Sequence, residues 1–160
     1  MKKHRTPKAT HYTLMHELCA SATEPLPEAG RRWQLTRMWN GLAQLETCPK
    51  PNGEDLSVCA DAVNLMVTLV KQGHIDDASG LLQDANAALV QAVLLHDAGR
   101  PIRLSAPGIQ AVRAVLEDYA EVKAVLPART MIRCHRLTER ASLDLAAAKH
   151  RQHGVRVMLT

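Results

Sequence analysis

A chain of 160 residues has the size of a single domain, and at that length roughly 70% of the unfolded surface is hidden on folding, so neither disulfides nor a metal is needed to complete a core. The core has no Phe to draw on, and Trp33, Trp39, Tyr12 and Tyr119 are the four aromatic residues. A core of Leu, Val, Ala and Met favours helices, whereas strands select β-branched and aromatic side chains.

The net charge of +4 is modest, but it is unevenly placed. Lys and Arg outnumber acids eight to four over 1–53, fall behind five to ten over 54–126, and lead seven to two over 127–160. Two basic ends therefore flank an acidic middle, which reads either as an ordinary solvated surface or as an anion-facing side.

In chain order, residues 1–9 read as a flexible basic tail and 10–160 as one helical domain. Thr10 is placed to cap a helix to about Ala20, with Leu14, Met15 and Leu18 on its apolar side. Pro25 and Pro27 break the chain, and a second helix runs from Pro27 to about Thr47. Leu35, Met38, Trp39, Leu42 and Leu45 fall on one face of it at the helical period.

The loop Cys48-Pro-Lys-Pro-Asn-Gly leads to a third helix over Glu54–Gln72, ended by Gly73. Its acidic start suits the positive end of the helix dipole. A fourth helix is expected over Asp76–Ala98, ended by Gly99. Ile102–Leu104 is short and alternating, hence extended. Pro107 opens a fifth helix to about Leu126, with Ile109, Val112, Leu116 and Tyr119 in phase, and Pro127 a sixth to about His150. The pattern predicts an all-α, compact bundle of five to six helices, with a minimal two-stranded ribbon from 102–104 and 155–159.

Several segments resemble a known group: His11-Tyr-Thr-Leu-Met-His-Glu-Leu-Cys-Ala20, Gly30-Arg-Arg-Trp-Gln-Leu-Thr-Arg-Met-Trp39, Asp61-Ala-Val-Asn-Leu-Met66, and Leu126-Pro-Ala-Arg-Thr-Met131 with Cys134-His-Arg136. They are similar to small uncharacterised proteins of proteobacterial prophages and related mobile regions. The similarity extends over most of the chain. It implies a setting and no site residues, since the group has no established activity.

Chemistry-bearing constellations are sparse. Cys19, Cys48, Cys59 and Cys134 form no C-x-x-C pair and lie in apolar stretches, so reduced thiols are expected, and with no secretory signal the compartment is read as cytoplasmic. No run reaches the length of a membrane span. His16 and Cys19 are three apart on a helix, but Cys134 and His135 are adjacent and point about 100° apart, so a shared zinc site lacks ligand spacing. His96-Asp97 has no matching His and Asp partners. Nucleophile elbows and phosphate-binding glycine loops are missing, so no enzymatic activity and no cofactor are expected.

The sixth helix carries the strongest signal. Arg129, Arg133, Arg136 and Arg140 sit at i, i+4, i+7 and i+11 on one stripe, opposite Met131, Cys134, Ala141 and Leu145, with Asp144 the one acid placed to neutralise them. Such a stripe is a solvated face, a partner of the acidic middle, or an anion-binding face for nucleic acid. A helix-turn-helix over the third and fourth helices fails because its second helix begins with Asp76-Asp77 and would be repelled from the groove. Trp33 falls off the apolar stripe of the second helix, beside Arg37. That pairing suits a protein interface, while a large aromatic is more often core. The expected function is a non-enzymatic, phage- or mobile-element-encoded binding or regulatory protein with a protein or nucleic-acid partner, an inhibitor of a host system being one form. The alternatives are a nucleic-acid-binding regulator using the sixth helix and a zinc-stabilised structural module. A second copy of the chain, forming a homo-oligomer, is a further candidate partner.

Overall fold

The computed structural model describes residues 11–148, and within them the chain is helical with no strand. Six helices follow in order: α1 (Leu14–Cys19), α2 (Glu28–Thr47), α3 (Gly53–Lys71), α4 (Leu81–Asp97), α5 (Ala106–Val125) and α6 (Ala128–Ala148). This is the all-α bundle expected. Its hub is α3, which packs against α2, α4, α5 and α6. The run Ala62–Leu69 is buried on every side of the helix. A helix surrounded in this way needs no polar face, and the sequence there is correspondingly apolar.

Local chemistry sets the helix starts. Asn52 caps α3 by accepting from the N–H groups of Glu54 and Asp55, while Asp55 reaches back to the Asn52 N–H at 3.0 Å. This reciprocal box satisfies donors that the first turn leaves unpaired. Ser105 does the same for α5 by accepting from Gly108 N–H at 3.1 Å, with Pro107 in the first turn.

Two expectations need correction. The fourth helix begins at Leu81 and not at Asp76. Gly80 sits at φ +71°, in the left-handed region. Before it, Asp77 and Ser79 side chains accept from the N–H groups of Leu82 and Leu81. Short polar side chains that bond nearby backbone compete with helix, and here they hold a turn. Ile102–Leu104 is irregular chain and not a strand. Ile102 is buried in the core and Leu104 packs against it, so this segment is an apolar plug in the α4–α5 connection. Its expected partner, 155–159, lies outside the described residues.

Helices α2 and α3 cross closely at Gly41. A Cβ there would meet Val58 Cγ2 at 2.3 Å and the Asp55 carbonyl oxygen at 2.9 Å. The crossing brings the α2 face around Met38 down onto α3, and it forms one wall of the cavity described next.

Candidate functional site

Helix α1 lies antiparallel on α6. At one end Arg129 donates to the carbonyl oxygens of Ala20 and Leu18, and Arg129 N–H donates to Ser21 O at 2.9 Å. In the middle Glu17 is ion-paired with Arg136. At the other end Tyr12 stacks at a tilt on His135, with ring centroids 5.2 Å apart, and His11 meets Glu139 at 2.6 Å. The helix itself is closed by a box in which Thr13 N–H donates to His16 Nδ1 and His16 N–H donates to Thr13 Oγ1.

This geometry turns α1 inside out relative to expectation. Its polar side, with Glu17, faces α6. Leu14, Met15 and Leu18 are 54%, 66% and 61% exposed, and no residue of α1 is buried. They share one face, at i, i+1 and i+4.

The arginine stripe divides accordingly. Arg129 and Arg136 are engaged by α1, so Glu17 and not Asp144 is the acid that meets the stripe. Arg133 and Arg140 are exposed, with no ion-pair partner among the described residues. Leu137, 36% exposed, lies between them at i+4 from Arg133. The opposite side is core as expected: Met131 and Cys134 are fully buried and Ala141 packs against the core.

Trp33 is neither free nor fully packed. It is 40% exposed, and the Arg37 guanidinium lies over its ring at 5.1 Å from the centroid. Arg37 is in turn paired with Glu54 at 3.1 Å. Together with Tyr12, these two residues border a cavity of about 280 Å³ between α2, α3, α5 and α6. Met38, Val58 and Ala62 supply its apolar wall. Gln34, Tyr119, His135 and Thr138 supply polar atoms, with Asp61, Glu139 and Ser142 completing the lining.

Of the polar groups behind this wall, Tyr119 was read from sequence as core and His135 only as a zinc-ligand candidate, and Lys123 was not singled out. Lys123 is fully buried, and its Nζ donates to Tyr119 Oη at 2.9 Å. Burial first, and the charge of Arg31 second, hold its pKa down to about 8. His135 is held down to about 3 by burial and then by Lys123, so its imidazole is neutral at pH 7. Burial pushes the Tyr119 hydroxyl up. Three atoms closed from solvent have no hydrogen-bond partner here: Arg31 Nε, Gln34 Oε1 and His135 Nε2. A sequence signal existed. Lys123 is four residues after Tyr119, in phase with the buried stripe Ile109, Val112, Leu116 and Tyr119, where a charged residue is out of place.

The thiols are unpaired, with Cys19 exposed, Cys48 half-buried, and Cys59 and Cys134 buried. Burial pushes the Cys59 thiol up to about 12. No three His, Cys, Asp or Glu side chains gather as a metal site among the described residues, and His16 Nδ1 is taken up in the α1 cap. None of the described helices is long and apolar enough to cross a membrane.

Fold and site define a helical bundle with an outward apolar face on α1 beside a cavity lined by both apolar and polar side chains. No protein-family model matches the chain, and no curated protein or solved structure matches it either.

Proposed function

We propose that this is a non-enzymatic binding protein that acts on a macromolecular partner, and that the partner is a protein held on the outer face of α1 and the adjoining edge of α6. The observation that carries the reading is the orientation of α1. Its charged side is clamped to the bundle through Glu17 and Arg136, while its three large apolar side chains face water. Exposing them costs hydrophobic free energy, about 1.5–3 kcal/mol for each large side chain that could instead be buried. Clustered exposed apolar residues of this kind mark interaction surfaces. Arg133, Leu137 and Arg140 border the α1 seam on the α6 wheel. Arginine next to apolar side chains is the composition of a protein interface.

The nucleic-acid alternative loses support because two of the four arginines are spent on α1, leaving Arg133 and Arg140 with a leucine between them. A phage or mobile-element setting, and an inhibitor of a host system as one form of it, rest on the resemblance of the quoted segments alone. Affinity capture from a host lysate, with and without nuclease, tests the reading. A partner that survives nuclease supports it. Capture that disappears with nuclease, together with steeply salt-dependent binding of labelled duplex, transfers the function to the arginines.

A further inference from the structure

Two exposed helix stripes of opposite charge have no ion-pair partner among the described residues. On α6 the stripe is Arg133, Leu137 and Arg140, and Asp144, one turn beyond Arg140, is not bonded to it. On α5 the stripe is Glu117, Asp118, Glu121 and Val125, at i, i+1, i+4 and i+8, which share one side of a helix. All four are exposed, Val125 to 70%. The cations of α5 are committed elsewhere. Arg113, one turn before Glu117, is paired with Glu46 at 2.6 Å, and Lys123 is buried on Tyr119. One stripe is thus basic around a leucine, and the other is acidic beside a valine.

We infer that the α6 edge docks on the α5 stripe of a second copy of this chain, with its arginines on the acidic turn Glu117–Glu121 and Leu137 on Val125. The spacing fits. Val125 lies one turn, about 6 Å, after Glu121, and Leu137 lies about one turn from Arg133 on one side and from Arg140 on the other. Laid side by side, the helices bring Leu137 to Val125 and an arginine to Glu121 whichever way they run, Arg133 if parallel and Arg140 if antiparallel. The guanidinium fork suits carboxylates, and it reaches past the apolar pair to them. The net charge of +4 repels a second copy at long range, but at 0.1 M salt that repulsion is screened beyond about 10 Å, whereas the contact charges meet well inside it. A contact between one pair of helices falls below the about 1,200 Å² of a standard interface, so the association is weak and reversible. Because the two stripes differ, the contact is heterologous, and a pair of chains keeps one free stripe of each kind. The inference rests on the reading of the α6 edge as an interface and names the occupant of that edge. Leu14, Met15 and Leu18 stay outside the contact. On the α6 wheel Leu137 is about 100° from Arg136, which faces α1, with Arg133 and Arg140 between them.

The test is sedimentation equilibrium of the full chain at rising concentration, read as weight-average mass. The expected result is a mass above that of one chain, still rising as the concentration approaches about 1 mM. Arg133→Glu/Arg140→Glu and Glu117→Arg/Glu121→Arg should each weaken the association about tenfold or more on their own. Mixed in equal amounts they should recover it, since each then meets a stripe that complements its own, and recovery also shows that both variants fold. Leu14→Asp/Leu18→Asp should associate like the unchanged chain, so failure of the α1 docking face and failure of this contact are read separately. A single-chain mass throughout, association retained by either charge-reversed variant alone, no recovery on mixing, or loss of association with Leu14→Asp/Leu18→Asp overturns the inference.

Discussion

Replacing Trp33 by alanine separates a wall residue from a free interface residue. A fully buried Trp lost to Ala costs about 3–5 kcal/mol. Trp33 is 40% exposed, so about three-fifths of that, roughly 2–3 kcal/mol, is expected. The stacked Arg37 accounts for about 0.5–1 kcal/mol of the loss at such a half-exposed site. In a domain of this size 1 kcal/mol moves Tm by about 2–4 °C, so Trp33→Ala should lower Tm by about 4–12 °C. Urea unfolding followed by far-ultraviolet circular dichroism measures it, and a double-mutant cycle with Arg37→Ala isolates the stacking contribution. Leu56→Ala, at a fully buried position, is the reference, with an expected cost of about 2–5 kcal/mol. A loss for Trp33→Ala below about 0.5 kcal/mol would mean that the ring packs on nothing. A loss above about 4 kcal/mol would mean a closed core and no cavity rim.

Gly41→Ala should destabilise by about 1–3 kcal/mol in the same urea assay, because the added methyl group meets the rigid Asp55 carbonyl as well as Val58; a neutral or stabilising result would place the α2–α3 crossing wrongly. His135 is depressed from 6.5 to about 3 in the folded chain, so between those values the unfolded state binds a proton that the folded state does not. Stability should therefore fall as pH drops below 6.5, with a slope approaching about 1.4 kcal/mol per pH unit from this group. His135→Gln should flatten the curve over that window, and identical slopes would refute the assignment. Brief alkylation of native protein, read by mass spectrometry, should label Cys19 first, Cys48 partly, and spare Cys59 and Cys134; early labelling of Cys59 would contradict its burial.

The parts of the fold that were legible in the sequence are those governed by local rules. The apolar periods of α2, α3, α5 and α6 and the proline and asparagine starts predict these helices to within a residue or two. The start of α4 was misplaced because an apolar period carries no information about Asp77 and Ser79 capturing backbone N–H groups ahead of Gly80. Long-range pairing was not legible at all. Nothing in a single chain reveals that Glu17 meets Arg136 across 119 positions, so the arginine stripe looked unpaired and α1 was given the wrong inner face. Trp33 and Arg37 were singled out correctly as neighbours, and their role as a cavity rim needed Tyr12 and α6 to be placed. Lys123 went unnoticed although it lies in phase with buried neighbours, and His135 was weighed only beside Cys134 as a zinc ligand, since attention to motifs of known chemistry passes over a lone polar residue on an apolar stripe.

The outer face of α1 is tested most directly by Leu14→Asp/Leu18→Asp, with both carboxylates placed on a surface that is already exposed and away from the α6 seam. Surface changes of this kind usually stay within about 0.5 kcal/mol of neutral per site, so Tm should hold nearly constant. Captured partner should then be quantified against the unchanged chain in nuclease-treated host lysate, with Arg133→Glu/Arg140→Glu as the parallel variant. The expected result is loss of the partner with the α1 variant at unaltered Tm, and weakening with the α6 variant. Full retention of the partner by Leu14→Asp/Leu18→Asp would contradict the assignment of α1 as the docking surface.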